Sequence, residues 1–190
     1  LRPYLPTDFK AWLEGHQNRL PKQNEFDDGP PPLEGLTRKA FLSKTRLQQK
    51  SWKKDLFYVF GIFDIKSGQH LGSIDLYVIT RLDVQSCNIG YQIHNQHWRK
   101  GYAKEAAAAA LRIAFQKLQL HRVEAGMLPS HKASIGVAQS IGMRREGIRK
   151  KFYFDPISGW SDYLIFAMSA EDIAIKSCPP RFRADMKDYL

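Results

Sequence analysis

The sequence predicts a mixed α/β domain, α+β-like, with a central, largely antiparallel sheet, flanking helices and one crossover in its middle. Three observations carry this expectation. β-rich runs come in neighbouring pairs joined by turn signals, at residues 57–64 with 71–80 and at 147–154 with 161–169. Amphipathic helical stretches stand before and between these pairs. Between the two pairs, a strand-like run at 87–94 leads through a glycine turn into an alanine-rich helix and then a second run at 121–127.

The elements follow in order. Residues 1–5 are expected to form an edge strand, and Thr7 or Asp8 to cap a helix reaching about Asn18. Asp27-Asp28-Gly29 and the prolines at 30–32 make a loop. Thr37 caps a basic helix to about Lys54, with Phe41, Leu42, Thr45 and Trp52 near one side and Lys39, Arg46, Lys50 and Lys53 on another. Lys66-Ser67-Gly68 joins the first hairpin. The alanine-rich helix runs to about Leu118, with Ala103, Ala107, Ala110, Leu111, Ala114 and Leu118 on its apolar face and Lys104, Glu105, Ala108, Arg112 and Gln116 turned away. Pro129-Ser130 opens a further helix that Gly142 closes. A loop at 155–159 turns the last hairpin, and residues 172–190 read as a basic tail, loosely packed or mobile.

With 190 residues, 43% of them hydrophobic and 25% charged, the chain has the material for a real core. Arg112 breaks the alanine run, and no apolar stretch approaches a membrane span. Cys87 and Cys178 lack metal-ligand spacing, which suits a reducing cytoplasm. The net charge of +10, with a pI near 9.6, favours anionic partners and disfavours polycationic substrates such as spermidine or aminoglycosides. P-loop, dinucleotide-fingerprint and nucleophile-elbow motifs are absent.

Trp98-Arg99-Lys100-Gly101-Tyr102-Ala103 carries the most chemistry. A helix start leaves four amides without partners and carries about half a positive charge. A glycine there lets a phosphate approach the backbone, and Arg99 and Lys100 add full charges. The alternative is a solvated loop.

Three segments together resemble the GCN5-related N-acetyltransferase (GNAT) superfamily, and within it the RimJ/RimL-type branch of protein N-terminal acetyltransferases. They are Ile89-Gly90-Tyr91 with the turn just described, Leu120-His121-Arg122-Val123-Glu124-Ala125, and Pro129-Ser130-His131-Lys132-Ala133-Ser134 running on to Gly147. Leu1-Arg2-Pro3 and Gly159-Trp160-Ser161-Asp162 are similar to family positions too, and residues 57–64 look more like the RimJ side. The resemblance spans residues 1–172, implying one acetyltransferase domain there and a basic tail at 173–190.

That resemblance implies the GNAT fold, with the two middle strands splayed, and acetyl-CoA as co-substrate. Its diphosphate would sit on the backbone of Arg99, Lys100, Gly101, Tyr102 and Ala103. The branch often carries Trp at position 98, which gives up a side-chain contact and keeps the backbone cradle. The pantetheine arm would lie along Gln92, Ile93 and His94, where an amide of Ile93 or His94 turned by a β-bulge would polarise the thioester. His131 stands where the family usually has Asn, and an imidazole donor would replace that contact.

The catalytic residues are read as follows. Ser134 matches the family's proton donor to the thiolate; its alternative is a first-turn helix hydroxyl. Tyr153 stands where the RimL side has a catalytic Glu, and either donates a proton or packs in the core. Among the carboxylates Asp75, Glu105, Glu124 and Asp162, Asp75 on a central strand is the preferred base. Glu105 is expected to face solvent and Asp162 to steady the hairpin. His94 and His97 lack a nearby Cys, Asp or Glu, so no metal is expected; His94 shuttles protons or is structural.

An α-amine with a pKa of about 7.7–8 is roughly a tenth to a sixth neutral at pH 7, whereas a lysine amine is almost wholly charged. A chain without a conspicuous strong base therefore suits an N-terminal acceptor of the ribosomal-protein type. A small amine or amino acid is the alternative, because residues 22–28 replace the family's aromatic-proline acceptor loop. A third reading, a non-catalytic RNA- or ribosome-binding module on the same scaffold, rests on the basic stripe and on Arg144, Arg145, Arg149, Lys150 and Lys151.

Overall fold

Pro3 and Pro6 lack amide donors, so residues 1–5 cannot sustain a strand ladder. In the computed structural model, which describes residues 1–156 and 159–177, the expected edge strand is a single antiparallel bridge between Arg2 and Gly61. A 3₁₀ turn at Pro6–Asp8 follows, and the Asp8 carboxylate accepts from the Leu5 amide and from both terminal nitrogens of Arg2. Helix α1 then covers Phe9–Gln17. Helix α2 is Arg38–Lys53, capped by the Thr37 hydroxyl on the Ala40 amide at 3.1 Å. It buries Phe41 and Thr45 and leaves Lys39, Arg46, Lys50 and Lys53 exposed, as its periodicity predicts.

The strands are β1 Phe57–Phe63, β2 His70–Thr80, β3 Ser86–Ile93, β4 Arg122–Met127, β5 Arg144–Asp155 and β6 Gly159–Ser169. They form one sheet of order β1-β2-β3-β4-β6-β5, mostly antiparallel. The exception is β3 with β4, the parallel pair demanded by the crossover helix between them. Their pairing runs from Ser86↔Arg122 to Asn88↔Glu124 and stops, although β3 continues to Ile93. This is the point from which the middle strands are expected to part. Helix α3, Tyr102–Arg112, widens into a π-helical turn over Ile113–Lys117. Its buried face is rotated from the expected one: Ala106, Ala107, Ala110, Leu111, Ala114 and Phe115 are buried, while Ala103 and Leu118 are only half-buried. Helix α4 is Lys132–Ser140, closed by Gly142 at φ +85° with the Met143 amide on the Ala138 carbonyl.

The chain divides into two compact units. One comprises Leu1–Leu76 with Gly90–Ala110, and its aromatic core gathers Tyr4, Trp12, Leu36, Phe41 and Val59. The other comprises Tyr77–Ile89 with the described residues from Leu111 onward, and it buries Leu120, Val123, Phe166 and Met168. Here Asp162 steadies the β5–β6 hairpin as expected, accepting from the Lys151 amide and from Lys150 Nζ. Arg144, Arg149 and Lys150 are engaged by Asp172, Glu124 and Asp162, so much of the basic cluster on β5 is neutralised within the fold. Ile157, Ser158 and residues 178–190, which include Cys178 and most of the basic tail, lie outside the described residues. No helix among the described residues is long and apolar enough to cross a membrane.

Candidate active site

The turn before α3 is built by its own backbone. A 3₁₀ turn at Asn95–His97 leads to Arg99 at φ +60° and Gly101 at φ +82°. The Gly101 carbonyl accepts from the Glu105 amide at 3.1 Å, which makes Gly101 the N-cap. The amides of Gly101, Tyr102, Ala103 and Lys104 therefore stand outside the helical ladder at the positive end of the helix dipole. Arg99, Lys100 and Gly101 are exposed, and a Cβ built on Gly101 meets no atom of the described residues within 4 Å. Glycine is required here by the backbone conformation, and the space above it is open to an anion. Trp98 serves the structure, because its indole Nε1 donates to the Ile93 carbonyl at 2.7 Å and ties the turn to the end of β3.

The same bond orients the strand end. The His94 amide donates to the Leu71 carbonyl at 2.9 Å, so it is committed to β2 and unavailable to a thioester, which corrects that expectation for His94. Strand alternation turns the polar groups of Ile93 to the opposite edge, where Trp98 meets its carbonyl. The Gln92 side chain is engaged as well, donating to Asp28 at 3.0 Å.

Asp75, on β2, stands out among the four candidate carboxylates. Glu105 is exposed, Glu124 is ion-paired with Arg122 and Arg149, and Asp162 holds the hairpin. Asp75 is half-buried, with no hydrogen bond or ion pair among the described residues, and burial alone pushes its carboxyl up to about 6. It lies against Gly90: a Cβ there would stand 3.1 Å from both carboxylate oxygens. Gly90 thus leaves the room that the carboxylate occupies.

In the second unit, His131 caps α4, with its Nδ1 accepting from the Ser134 amide at 3.3 Å and its Nε2 lying 3.2 Å from Ser134 Oγ. Ser134 is indeed a first-turn hydroxyl, and one already coupled to an imidazole. Tyr153 does not pack in the core; it is 42% exposed and stacks on Tyr163 at 5.4 Å between ring centroids.

Sequence reasoning missed the support beneath residues 22–28. Asp27 is buried and accepts from Arg19, from Asn95 Nδ2 at 2.8 Å, and from the amides of Gln23 and Gly29. Asn95 in turn holds the backbone of Leu20 and Pro21. Burial raises the Asp27 carboxyl, but these four bonds hold it below its ordinary value, so the stability it contributes is present at neutral pH and lost on acidification. Replacing Asp27 with alanine strands buried Arg19 and is expected to cost about 3–5 kcal/mol in a denaturant titration. A loss under 1 kcal/mol would show that the knot is dispensable.

The sequence pattern of the acetyltransferase (GNAT) domain family matches residues 1–144. The chain is 35% identical over 125 residues to the probable N-acetyltransferase YjcK of Bacillus subtilis strain 168, spanning 65% of this chain and 68% of that protein. It is 28% identical over 121 residues to the [ribosomal protein uS5]-alanine N-acetyltransferase of Escherichia coli K12, spanning 63% of this chain and 61% of that enzyme. In fold it is similar to Mycobacterium smegmatis RimJ in complex with CoA-disulfide, with a TM-score of 0.73 at 24% identity over 93% of this chain and 83% of that one. The chain belongs to the GNAT acetyltransferase family, resembles its RimJ-type branch, and is an acetyl-CoA-dependent acetyltransferase.

Proposed function

We propose that this enzyme acetylates the N-terminal α-amine of a protein, of the ribosomal-protein type. The observation that carries the reading is Asp75, half-buried with no ion pair among the described residues, its carboxyl raised to about 6 by burial. A base of that strength suits an α-amine near 8 and is poorly matched to a lysine amine near 10.4. The likeness to the uS5-alanine enzyme supports the acceptor class.

Acetyl-CoA supplies the activated acetyl group as a thioester. The residues present fit its diphosphate, because Gly101 leaves open the space that a Cβ would fill beside the unpartnered start of α3. Ile93 offers an amide on the edge of β3 opposite β2 to the acetyl oxygen. Asp75 takes the proton released by the acceptor amine as the C–N bond forms. By the family resemblance, Ser134 returns a proton to the departing sulfur, with Tyr153 as a second hydroxyl for the same step. His131 replaces the family Asn towards the pantetheine arm. The exposed Lys39, Arg46, Lys50 and Lys53 stripe would bring the enzyme to an anionic ribosomal surface in the cytoplasm.

The test is release of free thiol from acetyl-CoA with N-terminal peptides of varied first residue, run beside amino acids, simple amines and a peptide whose only free amine is a lysine side chain. Turnover is expected with a subset of the N-terminal peptides. Turnover confined to the small amines would replace the protein acceptor with a metabolite.

A further inference from the structure

The side chain of His94 lies in a cluster that the sequence conceals. His16 on α1, His70 at the start of β2 and His94 just beyond β3 each present one ring nitrogen, and these nitrogens lie within 4.8 Å of one another. His97, the histidine nearest to His94 in sequence, is not among them and meets Tyr102 edge-on. All three ligands belong to the first compact unit. We propose that His16, His70 and His94 form a structural site for a transition-metal ion of the Zn²⁺ class.

Three features converge on this assignment. The first is spacing. A Zn–N bond of about 2.0–2.1 Å plus the ring radius places an imidazole centre about 3.2 Å from the metal, so tetrahedral ligands have ring centres about 5.2 Å apart. The observed separations are 4.7 Å for His16–His94, 4.9 Å for His70–His94 and 5.7 Å for His16–His70. Rotation about the soft χ2 torsions draws the nitrogens the remaining distance inward.

The second feature is unsatisfied polarity. His70 and His94 are 1% and 2% exposed, and among the described residues the Nδ1 of each has no hydrogen-bond partner. Buried nitrogens of this kind are costly unless something binds them. The third is the outer shell. His16 Nδ1 donates to the Trp12 carbonyl at 2.8 Å, which leaves its Nε2 as a lone pair. His70 Nε2 lies 2.8 Å from the Tyr4 hydroxyl, and in the tautomer that donates to it Nδ1 is a lone pair. Such second hydrogen bonds orient metal-binding imidazoles.

Three neutral imidazoles suit Zn²⁺, Cu²⁺ or Ni²⁺ and disfavour Mg²⁺ or Ca²⁺. With no carboxylate or cysteine in the set, a water would complete four-coordination. Gly15 makes the packing possible, since a Cβ there would lie 2.8 Å from the His70 carbonyl oxygen and 3.0 Å from its Nδ1. The ion would pin α1 to the ends of β2 and β3.

The experiment uses tag-free full-length protein stripped with a chelator, titrated with Co²⁺ and then Zn²⁺. One ion per chain is expected, with the intense visible d–d bands of four-coordinate Co²⁺, displaced by Zn²⁺, and a melting temperature that rises with loading. His16→Gln, at a half-buried position, should weaken binding about 100-fold or more, and Tyr4→Phe about tenfold. His121→Gln, at a histidine outside the cluster, should leave the affinity unchanged. Absent or weak six-coordinate Co²⁺ bands, or equal weakening by His16→Gln and His121→Gln, overturn the proposal and leave a water at the centre of the cluster. Should His16→Gln fail to fold, the wild-type Co²⁺ spectrum and stoichiometry decide.

Discussion

Gly101→Glu is expected to weaken coenzyme A binding about 100-fold or more and to leave the fold in place. The fold survives because a Cβ at residue 101 touches nothing among the described residues within 4 Å and the position is exposed. The backbone strain of a side chain at φ +82° is about 1–2 kcal/mol, a fraction of a typical domain's stability. Binding suffers far more. The carboxylate enters the space that a diphosphate needs, and one like-charge contact at about 4 Å costs about 1–4 kcal/mol between bulk water and a protein surface. With the bulk of the side chain in that space added, affinity should fall about 100-fold or more. Gly101→Ala places a methyl group in that space without the charge and should lose about tenfold. Calorimetry with coenzyme A, beside a melting curve for each variant, separates the two effects. A folded glutamate variant that binds within threefold of wild type would move the diphosphate away from this turn.

The parts of the site that are legible in the sequence are those whose cause is local. The Gly101 turn is written in six consecutive residues, and a helix start presents its amides whatever surrounds it. The α2 cap at Thr37 and the α4 stop at Gly142 are equally local. Where the cause lies far along the chain, the sequence is silent. Asn95 reaches Asp27 across 68 residues and Leu20 across 75, and His16, His70 and His94 meet only because the strands bring them together.

Trp98 and His94 show a subtler limit. Each matches a family ligand position by its place in a motif. In the structure the Trp98 indole is spent on the Ile93 carbonyl and the His94 amide on the Leu71 carbonyl. A motif marks which backbone is near the ligand; the hydrogen-bond partner of each group decides which amide remains available. Tyr153 illustrates the same point for side chains, since it lies between Phe152 and Phe154 on an edge strand where all three rings are exposed, and three consecutive aromatics give no alternation to mark a covered face.

Asp75→Asn should slow acetyl transfer and stabilise the protein at the same time. As the base, Asp75 must be ionised, so kcat/KM in the wild type rises through about pH 6 before the acceptor amine, near 8, completes the profile. Removing a general base typically costs about 10²–10⁴-fold, and the asparagine variant should also lose the limb near pH 6. The stability effect has the opposite sign. Because folding raises this carboxyl from 3.8 to about 6, the native state holds a proton that the unfolded chain releases. Stability therefore falls as pH rises through the window from about 4 to 6, and above it the charged group costs about 2–3 kcal/mol. Asparagine abolishes that penalty while keeping the volume beside Gly90. The variant should thus be more stable than wild type at pH 8 and nearly equal to it at pH 4. An inactive variant with unchanged stability at pH 8 would mean that the carboxyl is solvated and ordinary, whereas a fully active one would hand the proton to another base. Loss of activity together with gain of stability is the joint signature of a carboxylate held in an unfavourable place for its chemistry.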